Sequence, residues 1–85
     1  MIMIAKKITV YGAVSCPWCV KLKDWLESKK VKFTYVDVAK PENQAKVVEM
    51  AQKSGQMGIP VTIIDDDEVI IGFDRDKITK LAGIN

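Results

Sequence analysis

Histidine is absent from the 85-residue chain. Its absence removes the Ser-His and Cys-His catalytic pairs, histidine zinc sites and the side chain that ordinarily changes charge near neutral pH. Only two cysteines are present, in the run Cys16-Pro17-Trp18-Cys19, too few for a disulfide-stapled secreted scaffold. A zinc ribbon needs four ligands and this chain supplies two; haem attachment needs a histidine where Val20 stands. No apolar run approaches the roughly 18 residues of a membrane helix. The opening Met1-Ile2-Met3-Ile4-Ala5 lacks a basic leader and a cleavage-like site, so it is not read as a secretory signal. Charge of one sign is missing too: 13 basic against 11 acidic residues give a net charge of +2. Lysines 6, 7, 29, 30 and 32 are scattered, so no cationic surface for nucleic acid or membrane is expected. A soluble, cytoplasmic chain is the expectation.

What is present suits one small domain over residues 1–85, with a core spanning about 7–82 and a loose N-terminus over 1–5. Residues 7–12 are β-branched and aromatic and stop at Gly12, as a strand does. Pro17 suits the first turn of a helix over 17–29, in which Trp18, Leu22, Trp25 and Leu26 recur at helical spacing. Residues 33–38 form a second strand, and the βαβ unit so made requires a parallel pair. Pro41 opens a second helix to Ser54 with Gln44, Val47, Val48 and Ala51 on one side and Gly55 beyond its end. Val61 to Ile64 and Val69 to Gly72, separated by the acidic run Asp65 to Glu68, form an antiparallel hairpin with a solvated turn. Asp74 caps a last helix that turns Ile78, Leu81 and Ala82 inward and ends at Gly83. The order is β-α-β-α-β-β-α, an α/β fold.

The chemistry points to the cysteines. A Cys-x-x-Cys in a βαβ context reads as a redox dithiol. A thiol at a helix start faces unpaired N–H groups and the positive end of the dipole, and both favour thiolate. Cys16, just before the helix, is expected to be the exposed nucleophile, and Cys19, one turn in, the resolving thiol. Thiolate tuning raises the reactive fraction and lowers intrinsic nucleophilicity together, so its larger gain is a better leaving group and a stabilised reduced form. A four-residue disulfide loop contributes at most ~2 kcal/mol by chain entropy, so a purely structural bridge explains the motif poorly.

Cys16-Pro17-Trp18-Cys19-Val20, Lys23, Leu26, Val36-Asp37-Val38, Gly55, Gly58-Ile59-Pro60-Val61 and Val69-Ile70-Ile71-Gly72-Phe73-Asp74 together resemble glutaredoxins, particularly the short glutaredoxin-like and NrdH-redoxin branch. The resemblance runs from about residue 7 to 82. It implies a thioredoxin-like fold with a four-stranded mixed sheet in order 2-1-3-4 and three flanking helices. It also implies a cis bond between Ile59 and Pro60, which presents the Ile59 backbone to an extended substrate. Substrate contacts are implied at Pro17, Trp18, Gly58, Ile59, Pro60, Gly72, Phe73 and Asp74. No bound cofactor is implied beyond the redox-active Cys16–Cys19 pair, with glutathione as a co-substrate.

Two positions depart from glutathione-using members. Ala13 stands where they carry a lysine, and Gly72-Phe73-Asp74-Arg75 stands where they carry Gly-Gly and an aspartate. Gly-Phe resembles the NrdH-like branch, whose reductant is typically thioredoxin reductase. Protein or low-molecular-weight disulfides, that of ribonucleotide reductase among them, are the implied substrates, and a monomer is expected. The competing readings are a dimeric iron-sulfur or other metal carrier joined through Cys16, and a thiol adaptor without turnover.

Overall fold

The structure, a computed structural model, describes residues 7–83. The segment 1–5, expected to be loose, lies outside the described residues. The chain runs β1 (Ile8–Gly12), α1 (Pro17–Ser28), β2 (Thr34–Asp37), a 3₁₀ turn (Pro41–Asn43), α2 (Gln44–Ser54), β3 (Val61–Ile64), β4 (Glu68–Ile71) and α3 (Arg75–Ala82). The strands form one sheet in the order β2-β1-β3-β4. β1 pairs parallel with β2, placing Val10 opposite Tyr35 and Gly12 opposite Asp37. β1 and β4 both pair antiparallel with β3. This is the thioredoxin-like topology that the element order and the resemblance imply.

Helices cover both faces of the sheet. On one, Ile8, Val10, Ile64 and Ile70 pack with Leu22 and Leu26 of α1 and Ile78 of α3. On the other, Tyr11, Val36, Val61 and Ile63 pack with Val47 and Met50 of α2. A strand covered on both faces has no solvent side to alternate toward, so β3 reads as a continuous buried run. Within it the Thr62 hydroxyl is buried without a hydrogen-bond partner among the described residues.

Several local expectations are corrected. The buried stripe of α1 is Cys19, Leu22 and Leu26, at the i, i+3, i+7 spacing of one helix face. Trp18 lies off that stripe, and Trp25 only packs against the core from its edge. Pro41 opens the 3₁₀ turn and not α2 itself. In α2 the inward residues are Val47 and Met50, while Gln44 and Val48 face solvent. The sheet face above α2 accepts the stripe with Met50 in it, which turns Val48 away. β4 begins one residue earlier than expected, at Glu68.

The acidic turn is exposed, as expected, but it is also tied down. Asp65 and Asp66 both have positive φ, +55° and +68°, and the Asp67 N–H donates to the Ile64 carbonyl at 3.3 Å. Those features define the type I′ turn that matches strand twist. The Lys7 N–H donates to Asp65 Oδ1 at 2.9 Å, and Asp66 pairs with Lys53 and Lys7 at 3.6 and 3.7 Å.

Candidate active site

β1 ends at Gly12 and delivers the chain to a tight turn in which the Cys16 N–H donates to the Ala13 carbonyl at 3.1 Å. Cys16 is the N-cap of α1, with extended backbone (φ −100°, ψ 110°), and Pro17 follows at the first helical position. A proline there sacrifices no hydrogen bond and presets the helical φ. The Cys16 carbonyl accepts the first helical bond, from the Val20 N–H at 3.1 Å. Its sulfur accepts from the Cys19 N–H at 3.3 Å, as an Asp or Ser oxygen does at an ordinary cap. No acidic side chain occupies the first turn, so the positive end of the helix faces Cys16 Sγ unopposed.

The two thiols differ in access. Both are free; Cys16 is partly exposed and Cys19 is buried, at 0% exposure. Burial, foremost, and a hydrogen bond with the Cys16 side chain push the Cys19 thiol up from 9.0 to about 12. Cys19 therefore remains protonated at neutral pH.

Beside the dithiol lies a groove of about 330 Å³ lined by Trp18, Ile59, Pro60, Gly72 and Phe73. The Ile59–Pro60 bond is cis, as the resemblance implies. Gly72 has φ +86°, a backbone that side-chain-bearing residues rarely adopt, and its N–H donates to the Pro60 carbonyl at 2.8 Å. That bond ties the segment leaving β4 to the cis-proline segment. Phe73 then sits between the two tryptophans, its ring centroid 6.1 Å from Trp18 and 6.1 Å from Trp25. Trp18 is 57% exposed, so the cluster runs from the core edge to open surface. Lys21 Nζ lies 4.7 Å above the Trp18 ring and the Arg75 guanidinium 5.8 Å from that of Phe73.

Of the residues expected to contact substrate, five line this groove. The other three stand at its margins: Pro17 in the first turn of α1, Gly58 exposed on the approach to Pro60, and Asp74 as the N-cap of α3, accepting from the Lys77 N–H at 3.1 Å. Two features escape a reading of the sequence. The Gln56 side chain holds the Gly58 backbone at both ends, accepting from its N–H at 2.6 Å and donating to its carbonyl at 3.1 Å; an isolated glutamine in a loop carries no signal of that role. Gly12 is the second, since Tyr35 and Cys19 converge on it, and only the strand register reveals the meeting. Among the described residues no group of three or more Cys, Asp or Glu side chains gathers in a metal-binding arrangement.

A mixed sheet in this order, with two cysteines close together at the start of its first helix, defines a thiol oxidoreductase of thioredoxin-like fold. Comparison with known proteins narrows the class: the sequence model of the glutaredoxin family matches residues 8–70. The chain is 40% identical over 74 residues to the glutaredoxin-like 8.6 kDa protein in the rubredoxin operon of Clostridium pasteurianum, covering 87% of this chain and 95% of that one. Among solved structures it resembles the glutaredoxin of Methanosarcina mazei Go1 (TM-score 0.81, 33% identity, 92% of this chain and 79% of that one). It also resembles the methanoredoxin of Methanosarcina acetivorans (TM-score 0.83, 31% identity, 92% and 85%). The chain belongs to the glutaredoxin family.

Proposed function

We propose that the chain is a dithiol–disulfide oxidoreductase in which Cys16 attacks and Cys19 resolves. The Cys16 sulfur attacks a substrate disulfide, forming a mixed disulfide and releasing the first substrate thiol. Cys19 then loses its proton and attacks the Cys16 sulfur, closing the Cys16–Cys19 disulfide and releasing the second thiol. Two electrons pass to the substrate, and an external reductant returns them. One observation carries this reading: a partly exposed sulfur caps α1 with the Cys19 N–H aimed at it, while the second sulfur lies buried one turn behind.

The groove supplies the substrate seat. An extended segment pairs with the Ile59 backbone, and Trp18 and Phe73 flank it with apolar walls. Such recognition depends on main chain and apolar contact more than on one side chain, which suits protein disulfides, that of ribonucleotide reductase included. Pro17, Gly58 and Asp74 act from the margins, as scaffold for the groove. The chain works as a monomer in the reducing cytoplasm, where dithiols are kept reduced, and needs no bound cofactor.

The reductant is a thioredoxin-reductase-type enzyme in preference to glutathione. Ala13, buried and apolar, offers no cation for a glutathione carboxylate, and the Phe73 ring fills space between Trp18 and Trp25. The test compares turnover of one protein disulfide, insulin, supported by thioredoxin reductase with NADPH or by glutathione with its reductase. Faster turnover with thioredoxin reductase is expected, and a clear preference for glutathione overturns the reductant assignment. Loss of turnover in both systems on Cys16→Ser is expected; retained activity in that variant overturns the dithiol reading itself.

A further inference from the structure

The resolving step contains a difficulty that the dithiol alone does not resolve. Cys19 is buried, yet it must become a thiolate when it attacks, and it departs as a thiolate when a reductant opens the Cys16–Cys19 disulfide. A buried anion without a hydrogen-bond donor is strongly disfavoured. The backbone N–H groups of Ala13 and of Cys19 itself favour the Cys19 thiolate, yet burial outweighs them. A further donor from a neighbouring element would ease its ionisation.

β2 supplies one. Tyr35 lies opposite Val10 in the parallel register, and its side chain packs on the sheet face that α1 covers. Two residues beyond Val10, on the same face, stands Gly12. A Cβ on Gly12 would lie 2.5 Å from the Tyr35 hydroxyl, 2.9 Å from Cys19 Cβ and 3.0 Å from Cys19 Sγ. Hydroxyl and sulfur thus converge on the space that a side chain at position 12 would fill. Any residue larger than glycine there would part them.

We propose that the Tyr35 hydroxyl donates a hydrogen bond to the Cys19 thiolate that forms in resolution and that departs when the disulfide is reduced. This inference rests on the dithiol reading and assigns a positioning role within it. Cys19–SH and the Cys16–S–S–R mixed disulfide yield the Cys16–Cys19 disulfide and RSH: the S–S bond to R breaks, the intramolecular S–S bond forms, and the Cys19 proton ends on the departing thiol. Tyr35 is only partly buried. As a donor and not a base, Tyr35 works with its proton in place. Burial, followed by the nearby Cys19, Asp37 and Cys16, pushes its phenol up to about 12, which keeps the hydroxyl intact throughout the neutral range.

The charged and titratable neighbours are few. α1 brings Cys16 and Lys23, whose Nζ lies 5.6 Å from the Tyr35 ring centroid; β2 brings Asp37; β1 brings only Gly12 at this point. Lys23 sits over the ring, so Tyr35→Phe removes one oxygen and leaves that contact and the core packing in place.

The experiment uses the reduced full-length protein and the aromatic disulfide 5,5′-dithiobis(2-nitrobenzoate), which releases one coloured thiolate on attack by Cys16 and a second on resolution by Cys19. In Tyr35→Phe, the first release is expected at the wild-type rate. The second should be slower by roughly ten- to a hundredfold, the factor a hydrogen bond to a charged group provides, with its pH profile displaced to higher pH. A second release at the wild-type rate and pH midpoint overturns the proposal, and so does equal slowing of both phases, which marks a general displacement of α1. Release of a single equivalent by the wild-type protein would instead contradict the dithiol reading, so the two failures are distinguishable.

Discussion

At the scale of single residues, solvent access separates the two cysteines. The buried Cys19 thiol is held protonated up to about 12, whereas an exposed thiol in the unfolded chain titrates near 9.0. Below pH 9 both states keep the proton and the contribution to stability is fully present. Above it the unfolded chain releases the proton while the folded chain retains it, so stability falls as pH rises, until the folded thiol itself ionises near 12. Tyr35 adds to the same loss from its ordinary value of 10.0 up to about 12. The expected observation is a urea midpoint of the reduced protein that declines from about pH 9 upward, with a shallower decline in Cys19→Ala. A flat profile, or one equally steep in that variant, would contradict the buried-thiol assignment.

At the scale of elements, the starts of α1 and α3 place the site. Each begins with a side-chain cap, Cys16 on α1 and Asp74 on α3, and Phe73 immediately precedes the second. Asp74→Ala removes the bond to the Lys77 N–H at a cost of about 1 kcal/mol, a fall in Tm of roughly 4–8 °C in a domain of this size. Calorimetry should show that fall, and an unchanged Tm would mean that solvent replaces the cap without loss. Both helix starts were legible in the sequence, because Pro17 and Asp74 are local signals that need no tertiary partner. The inward face of α2 was not. Val47 with Met50 and Val48 with Ala51 repeat at the same spacing, and only the position of α2 against Tyr11, Val36 and Ile63 selects the first pair. The same competition displaced Trp18 from the buried stripe of α1, since Cys19 takes the inward position beside it.

At the scale of the whole molecule, the sheet order brings together segments far apart in the chain. Trp18, the Ile59–Pro60 segment and the Gly72-Phe73 segment form one groove beside the dithiol. Their motifs were legible one by one, and the family resemblance assembled them. The Gln56 brace on Gly58 and the meeting of Tyr35 with Cys19 over Gly12 were not legible. Each depends on a side-chain trajectory or a strand register rather than on spacing along the chain. Cys16 and Cys19 divide into a reachable sulfur and a covered one. Reacting reduced Cys19→Ser with insulin and locating the trapped substrate by peptide mapping tests that division most directly. A stable mixed disulfide on Cys16, absent from Cys16→Ser under the same conditions, is the predicted result; an adduct formed on Cys19 in Cys16→Ser at a comparable rate would contradict the account.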